Sequence, residues 1–132
     1  MKPLQDLNYS NFDNSPMTIR AKTPVLENDY QYLNEVHLIG WVSGVPTVKL
    51  LPSGDQVVEF RVVVQREKPK SDRTEVDSLD IAVWSTKLRK RAMSLKAQEW
   101  VQVDGELRRR FWRSPAGISS RWQVEASEVR RL

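Results

Sequence analysis

The sequence predicts an all-β fold, a small β-barrel of five strands with one short helix. Three observations predict it. Apolar and polar residues alternate in five separate segments, as they do in half-buried strands. Gly40 and Gly105 lie inside the first and fourth segments, where a bulge or bend would curl a sheet. One stretch with helical spacing follows the third segment.

Turn and loop signals separate the five strands. We expect strands at residues 34–51 with an interruption at Pro46, and then at 57–66, 76–84, 99–110 and 121–129. Residues 52–55 (PSGD) form a turn signal. The charged stretch 67–75 predicts an exposed loop. Residues 111–120, which contain Ser-Pro-Ala-Gly, predict a long hairpin loop between strands four and five.

The single helix follows the third strand. Ser85 or Thr86 can cap its N-terminus, and Leu88, Ala92 and Leu95 recur at helical spacing. Five strands with a helix after the third is the layout of a five-stranded OB-fold. In that fold the binding groove crosses strands two and three, between the first-to-second and fourth-to-fifth connections.

Positive charge is concentrated in the predicted barrel. The chain has 132 residues and a formal net charge of +4, with −1 in residues 1–33 and +5 in residues 34–132. Residues 1–33 lack a sustained period and are rich in Asn, Asp, Ser and Pro, which predicts a flexible N-terminal arm. A basic domain attracts polyanions such as nucleic acid, although net charge also serves solubility.

The sequence lacks the residue arrangements that signal catalysis. Cysteine is absent, so no thiolate nucleophile, disulfide or cysteine metal site exists. His37 is the only histidine, and no catalytic triad pattern, HExxH motif or phosphate-binding glycine loop is present. We therefore predict a protein that is not an enzyme and needs no cofactor or metal. No apolar run approaches the ~20 residues of a membrane span, and we expect a cytoplasmic, nucleoid-associated protein.

Two of the five tryptophans are placed as platforms for nucleic-acid bases. Single-stranded nucleic acid offers flat bases for stacking and phosphates for cations. Trp84 ends the third strand out of phase with its aliphatic residues, so it should point away from the core. Trp112 lies within residues 108–113 (RRRFWR), a composition that suits stacking beside phosphate contacts better than a core.

The other tryptophans are less informative. Trp41 faces outward by parity, where nucleic acid, the arm or another subunit could cover it. Trp122 is in phase with Val124 and should pack in the core or at its rim, and Trp100 could cover the helix end. The predicted nucleic-acid-binding residues are Trp41, Arg61, Arg66, Trp84, Lys87, Arg108, Arg110, Phe111, Trp112 and Arg113.

An ordered set of segments in residues 34–132 resembles the bacterial-type single-stranded DNA-binding protein family. Residues 34–40 (NEVHLIG) are similar to the family's opening NxVxLxG, and residues 101–108 (VQVDGELR) resemble its VxVxGxLR stretch. Pro46 with the segments 52–54 and 57–60 (VVEF) resembles its second part. Residues 79–88 (LDIAVWSTKL) look like its third strand and helix start.

The resemblance implies an OB-fold that assembles as a homotetramer and binds single-stranded DNA without strong sequence preference, in DNA replication, repair and recombination. It implies stacking on Trp84 and Trp112. It also implies backbone contacts from Lys87, Arg108 and Arg110. A dimer is the other assembly that we keep open.

Three departures from the family's pattern change these expectations. Ser78 stands where the family usually has an aromatic, and residues 65–68 lack another, so we expect sparser stacking and more phosphate contact. The sequence ends at Leu132 without the family's acidic tail, so we do not expect recruitment of repair enzymes through a tail. Two alternatives stay open: an OB-fold adaptor that binds protein, as in a primosome, and an RNA-binding module.

Overall fold

The computed structural model describes residues 29–67 and 74–132. Their regular elements, in chain order, are β1 (Val36–Leu50), β2 (Gln56–Gln65), β3 (Val76–Val83), α1 (Thr86–Met93), β4 (Trp100–Ser114) and β5 (Gly117–Arg131). The strands close a barrel in the order β1-β2-β3-β5-β4. All pairs are antiparallel except the short β3–β5 pair. The predicted all-β class and five-stranded OB-fold are confirmed.

Branched aliphatic side chains fill the barrel, because they pack well on a pleated surface. Those with essentially no exposed surface are Val42, Val58, Val62, Ile81, Val83, Val101, Val103 and Val129. Burying each contributes about 1.5–3 kcal/mol relative to exposure. Since side chains alternate along a strand, this interior also determines which residues of β2, β3 and β5 face outward.

Helix α1 packs against one end of the barrel. Its N-cap is Ser85, whose hydroxyl accepts a hydrogen bond from the backbone N–H of Leu88 at 3.3 Å. Leu88, Ala92 and Leu95 join the buried core, as their spacing predicts. The helix therefore begins at Thr86, two residues after Trp84.

The two strand glycines allow close approach between neighbouring backbones. A Cβ at Gly40 would lie 2.2 Å from the carbonyl oxygen of Val63, and one at Gly105 would lie 2.1 Å from that of Glu125. The β4–β5 register shifts between Asp104 and Gly105, which marks a bulge. The predicted interruption near Pro46 is a register shift within a continuous β1.

The prediction of a long loop at residues 111–120 is wrong. β4 continues to Ser114, which pairs with Gly117, so only two residues form the turn. β1 pairs with β4 only as far as Gly105, and β3 pairs with β5 only at Val124 and Glu125. The hairpin therefore extends beyond the barrel, and we call residues 108–123 the hairpin ribbon. Ladder pairing overrides the local loop propensity of Ser-Pro-Ala-Gly.

Two predicted features lie largely outside the described residues. The N-terminal arm was predicted at residues 1–33, of which the structure describes only 29–33. The charged loop at 67–75 is described at its ends only. The barrel itself belongs to a compact unit that spans Asn34–Leu132. No helix in the described part of the chain is long and apolar enough to cross a membrane.

Candidate nucleic-acid interface

Outward side chains of β2, β3 and β5 continue onto one side of the hairpin ribbon, and we call this surface the front face. Because Val58 and Phe60 of β2 point into the barrel, Glu59 between them points outward. The front face comprises Glu59, Arg61, Asp80, Trp84, Arg108, Arg110, Trp112, Arg121 and Gln123. Five of the predicted binding residues thus share one surface: Arg61, Trp84, Arg108, Arg110 and Trp112.

Trp84 lies under an arginine of the hairpin ribbon. The Arg110 guanidinium carbon is 5.5 Å from the centre of the Trp84 ring, within cation–π range. Trp84 is half-buried, and its backbone carbonyl accepts a hydrogen bond from Arg89 of α1. Arg89 therefore holds the backbone at Trp84, and Arg110 contacts its ring.

Trp112 has an equivalent partner. The Arg121 guanidinium carbon lies 5.7 Å from the centre of its ring, and 40% of Trp112 remains exposed. Sequence reasoning did not single out Arg121, although cross-strand pairing places it opposite Arg110. If the ribbon had been predicted as two paired strands, the pairing of Arg110 with Arg121 would have identified Arg121 as a candidate.

Carboxylates hold the front-face arginines. Asp80 Oδ1 lies 3.0 Å from Arg61 Nε, and its Oδ2 lies 3.8 Å from Arg121 Nε. Glu59 lies between Lys49, at 3.5 Å, and Arg110, at 3.3 Å. The Arg61 side chain is 62% exposed, and exposed pairs typically contribute only ~0–1 kcal/mol. A phosphate can therefore replace Asp80 as the partner of Arg61 at small cost. The pair of Arg110 with Glu59 is partly buried, with side chains 25% and 18% exposed.

A depression of about 270 Å³ lies between the front face and the irregular part of β1. Its lining includes Ser43, Gly44 and Thr47 at the β1 register shift, with Arg61 and Arg121 opposite. The position agrees with the groove expected across strands two and three of an OB-fold. Its walls are polar and charged, as a surface that receives a nucleic-acid backbone requires.

Gln123 is the one buried polar residue of the described core, with 3% of its surface exposed. Its amide nitrogen donates a hydrogen bond to Glu59 at 3.0 Å. Its Oε1 is buried and has no hydrogen-bond partner among residues 29–67 and 74–132. An unpaired buried acceptor costs about 1–3 kcal/mol. The unpaired oxygen of Gln123 therefore destabilises the fold locally, and packing elsewhere must offset this free energy.

Comparison with known proteins gives the chain its family. Residues 33–132 match the single-strand binding protein family. The chain belongs to that family. It is 26% identical over 102 residues to the single-stranded DNA-binding protein of Treponema pallidum (strain Nichols), covering 76% of this chain. The match spans 58% of that relative, so the chain accounts for less than two thirds of the relative's length.

A solved structure, Plasmodium falciparum SSB in complex with ssDNA, shares the fold. The TM-score is 0.63 at 23% identity, over 80% of this chain and 99% of that one. This likeness independently supports the OB-fold assignment. The family resemblance inferred from residues 34–132 is confirmed.

Two further predicted binding residues, Arg66 and Lys87, lie outside the strands of this single-strand binding family member. Arg66, after the end of β2, forms hydrogen bonds with Asp77 at 3.0–3.3 Å. That hydrogen bonding lowers the pKa of Asp77 and raises that of Arg66. Lys87, in the first turn of α1, is exposed and has no carboxylate within 4 Å in the described ranges. Lys87 is therefore a free cation three residues from Trp84.

Trp41 lies beside another tryptophan. It pairs with Trp100 across β1–β4 and with Val63 across β1–β2. Trp100 is 53% exposed and neighbouring Ile39 is 54% exposed. We call Ile39, Trp41 and Trp100 the β1 patch. It is an apolar surface distinct from the front face.

Phe111 and Arg113 occupy the opposite side of the ribbon, which we call the rear face. Trp122 shares it and is 56% exposed, so the prediction of core or rim packing is wrong. The alternation of side chains along the strand was read correctly, because Trp122 points to the same side as buried Val124. The ribbon extends beyond the barrel, however, and no other strand within residues 29–67 and 74–132 pairs with it there.

The lone histidine is held by two carboxylates on the barrel exterior. His37 Nδ1 lies 2.8 Å from Asp104 Oδ1, and Nε2 lies 3.4 Å from Glu35 Oε1. The hydrogen bond with Asp104, followed by that with Glu35, raises the pKa of His37. Among the described residues, no group of three or more His, Cys, Asp or Glu side chains is arranged to hold a metal ion.

Proposed function

We propose that this chain binds single-stranded DNA without sequence preference, by stacking bases on Trp84 and Trp112 and by contacting phosphates with basic residues of the front face. The observation that carries the proposal is the pairing of each tryptophan with an arginine. Arg110 lies over Trp84, and Arg121 lies over Trp112. This places a stacking surface beside a cation twice along one face, as a base-and-phosphate repeat requires.

Stacking accounts for the lack of sequence preference. Every base has an aromatic face, so platforms such as Trp84 and Trp112 accept all four. Covering a strand in this way would protect it during replication, repair or recombination. Family membership and the likeness to a protein named for single-stranded DNA binding support this role over catalysis.

The basic residues fall into two groups with different expected contributions. Arg61, Arg110 and Arg121 each have a carboxylate partner, which a phosphate must replace. Arg108 is likewise held by Glu106 and Glu125. Lys87 has no such partner within the described ranges and can contact phosphate directly. Each phosphate that these basic residues contact adds to the salt dependence of binding.

We propose in addition that the chain acts in the cytoplasm as a homo-oligomer, a tetramer in preference to a dimer. The β1 patch supports this assembly, because exposed aromatic and aliphatic side chains side by side mark association surfaces. The lack of cysteine fits a reducing compartment. Solution mass of an Ile39→Glu variant checks the assembly. The proposal requires a smaller species than the unmodified chain forms.

The function is tested by titrating the full chain with dT oligomers of several lengths while recording tryptophan fluorescence. We expect quenching, and affinity that falls linearly in log–log form with salt. Unchanged fluorescence at about 50 mM salt, with no binding by a second method, would refute the proposal. Competition with rU oligomers separates DNA from RNA binding. Capture of a protein partner that survives nuclease treatment would instead indicate the adaptor alternative.

A further inference from the structure

The rear face of the hairpin ribbon carries its own aromatic and cationic cluster. The Arg109 guanidinium carbon lies 5.1 Å from the Phe111 ring centre and 5.5 Å from the Trp122 ring centre. The two aromatic residues remain 62% and 56% exposed, respectively. Exposed rings that already hold an arginine between them leave stacking surface available to a ligand.

The charge of this cluster is not compensated. Arg109 donates hydrogen bonds to the hydroxyl of Ser120 at 3.1 and 3.2 Å. In the part of the chain that the structure describes, no carboxylate lies within 4 Å of Arg109 or Arg113. The sequence of the ribbon, residues 108–123, contains five arginines and no acidic residue. The front-face arginines differ, since Asp80 and Glu59 partly neutralise them.

We propose that the rear face is a second binding surface for single-stranded nucleic acid, so that one strand passes round the ribbon and contacts both of its faces. The inference rests on the proposed function of the front face. The rear face has free cations and two exposed rings, which is the chemistry that a polyanion carrying bases needs. An apolar protein partner would leave Arg109 and Arg113 without counter-charge.

The dimensions of the ribbon allow this path. Seven residues of β4 extend past Leu107, which is about 24 Å at ~3.4 Å per residue. The ribbon is two strands wide, with about 4.8 Å between strands. Its outer edges pair with no other described strand beyond Gly105 on β4 and Val124 on β5. A strand can therefore pass its edge or its turn and reach the other side.

The consequence is a dependence on ligand length. One OB-fold surface takes about 4–16 nucleotides. A short strand would occupy the front face alone, and only a longer strand would also reach Trp122 and Arg109. Loss of rear-face groups should therefore be detected with long ligands and not with short ones.

The test compares dT oligomers of about 8 and about 30 nucleotides on the full chain. With the long oligomer, Trp122→Ala should weaken binding by about 5- to 150-fold, the range of one stacked base. With the short oligomer it should leave affinity unchanged. Trp122→Phe retains a ring and should bind the long oligomer nearly as well as the unmodified chain. Arg109→Gln should reduce the salt slope for the long oligomer by about 0.7.

Trp112→Ala separates the two proposals, because it should weaken binding of both lengths. Failure of that variant to do so counts against the front-face function and not against the rear face. The rear-face proposal is overturned if Trp122→Ala binds the long oligomer as tightly as the unmodified chain does. It is also overturned if the variant loses the same amount of affinity for the long and the short oligomer. It is also overturned if the variant alters only self-association, since a second copy would then cover the surface. Thermal unfolding confirms that each variant is folded.

Discussion

The guanidinium of Arg110 lies between the ring of Trp84, 5.5 Å from its guanidinium carbon, and the carboxylate of Glu59, 3.3 Å from its Nη1. One side chain from the hairpin ribbon thereby connects the end of β3 to the middle of β2. The carboxylate of Glu59 partly neutralises the positive charge that a phosphate would otherwise meet. Binding at this position must exchange one anion for another.

Replacing Trp84 with alanine should weaken dT binding by about 1–3 kcal/mol, because one stacking platform is lost. Trp84→Phe is the matched control, since it keeps a ring under Arg110 and should lose much less affinity for the oligomer. Fluorescence anisotropy of a labelled oligomer measures both affinities at fixed salt. Equal affinities for Trp84→Ala and the unmodified chain, with both folded, would remove Trp84 from the interface.

The barrel could be predicted from the sequence, but the ion pairs of the front face could not. Alternation placed Trp84 outside, and the glycine within the fourth strand predicted the bend at Gly105, where the structure has a bulge. Parity gives the face of a side chain but not whether anything covers that face, which is why Trp122 was misplaced. The Arg110–Glu59 pair joins residues 51 positions apart, and no local pattern reports such a contact.

Gly105→Ala should destabilise the fold by about 1–3 kcal/mol, as overpacking does. The added Cβ would lie 2.1 Å from the carbonyl oxygen of Glu125, a backbone atom that cannot rotate away. Ser78→Ala serves as control, because Ser78 is exposed on β3 and should change stability much less. Urea unfolding measures both. Unchanged stability of Gly105→Ala would mean that β4 and β5 separate freely there.

His37 should titrate above its usual pKa of about 6.5, because its protonated ring is hydrogen-bonded to Asp104 and Glu35. This contribution to stability is fully present below the unfolded-state pKa and is lost as pH rises through the folded-state pKa. NMR titration of the ring protons gives the value directly. Asp104→Asn should lower the pKa of His37 more than Glu35→Gln does, since Asp104 is the larger cause. A His37 pKa at or below 6.5 in the unmodified chain would contradict the geometry.

Asp80→Asn should strengthen binding of single-stranded DNA. Asp80 is the carboxylate partner of both Arg61, at 3.0 Å, and Arg121, at 3.8 Å, so its neutralisation frees two cations in the groove. Freed arginines make more phosphate contacts, and each phosphate contact adds about 0.7 to the salt slope for a single strand. Asp55→Asn is the matched control, because it changes net charge equally at an exposed turn that is outside the front face. Affinity measured over a salt series separates the two variants. If Asp80→Asn increases the affinity for single-stranded DNA no more than Asp55→Asn does, the increase is a general effect of net charge. Asp80 then does not restrain the arginines.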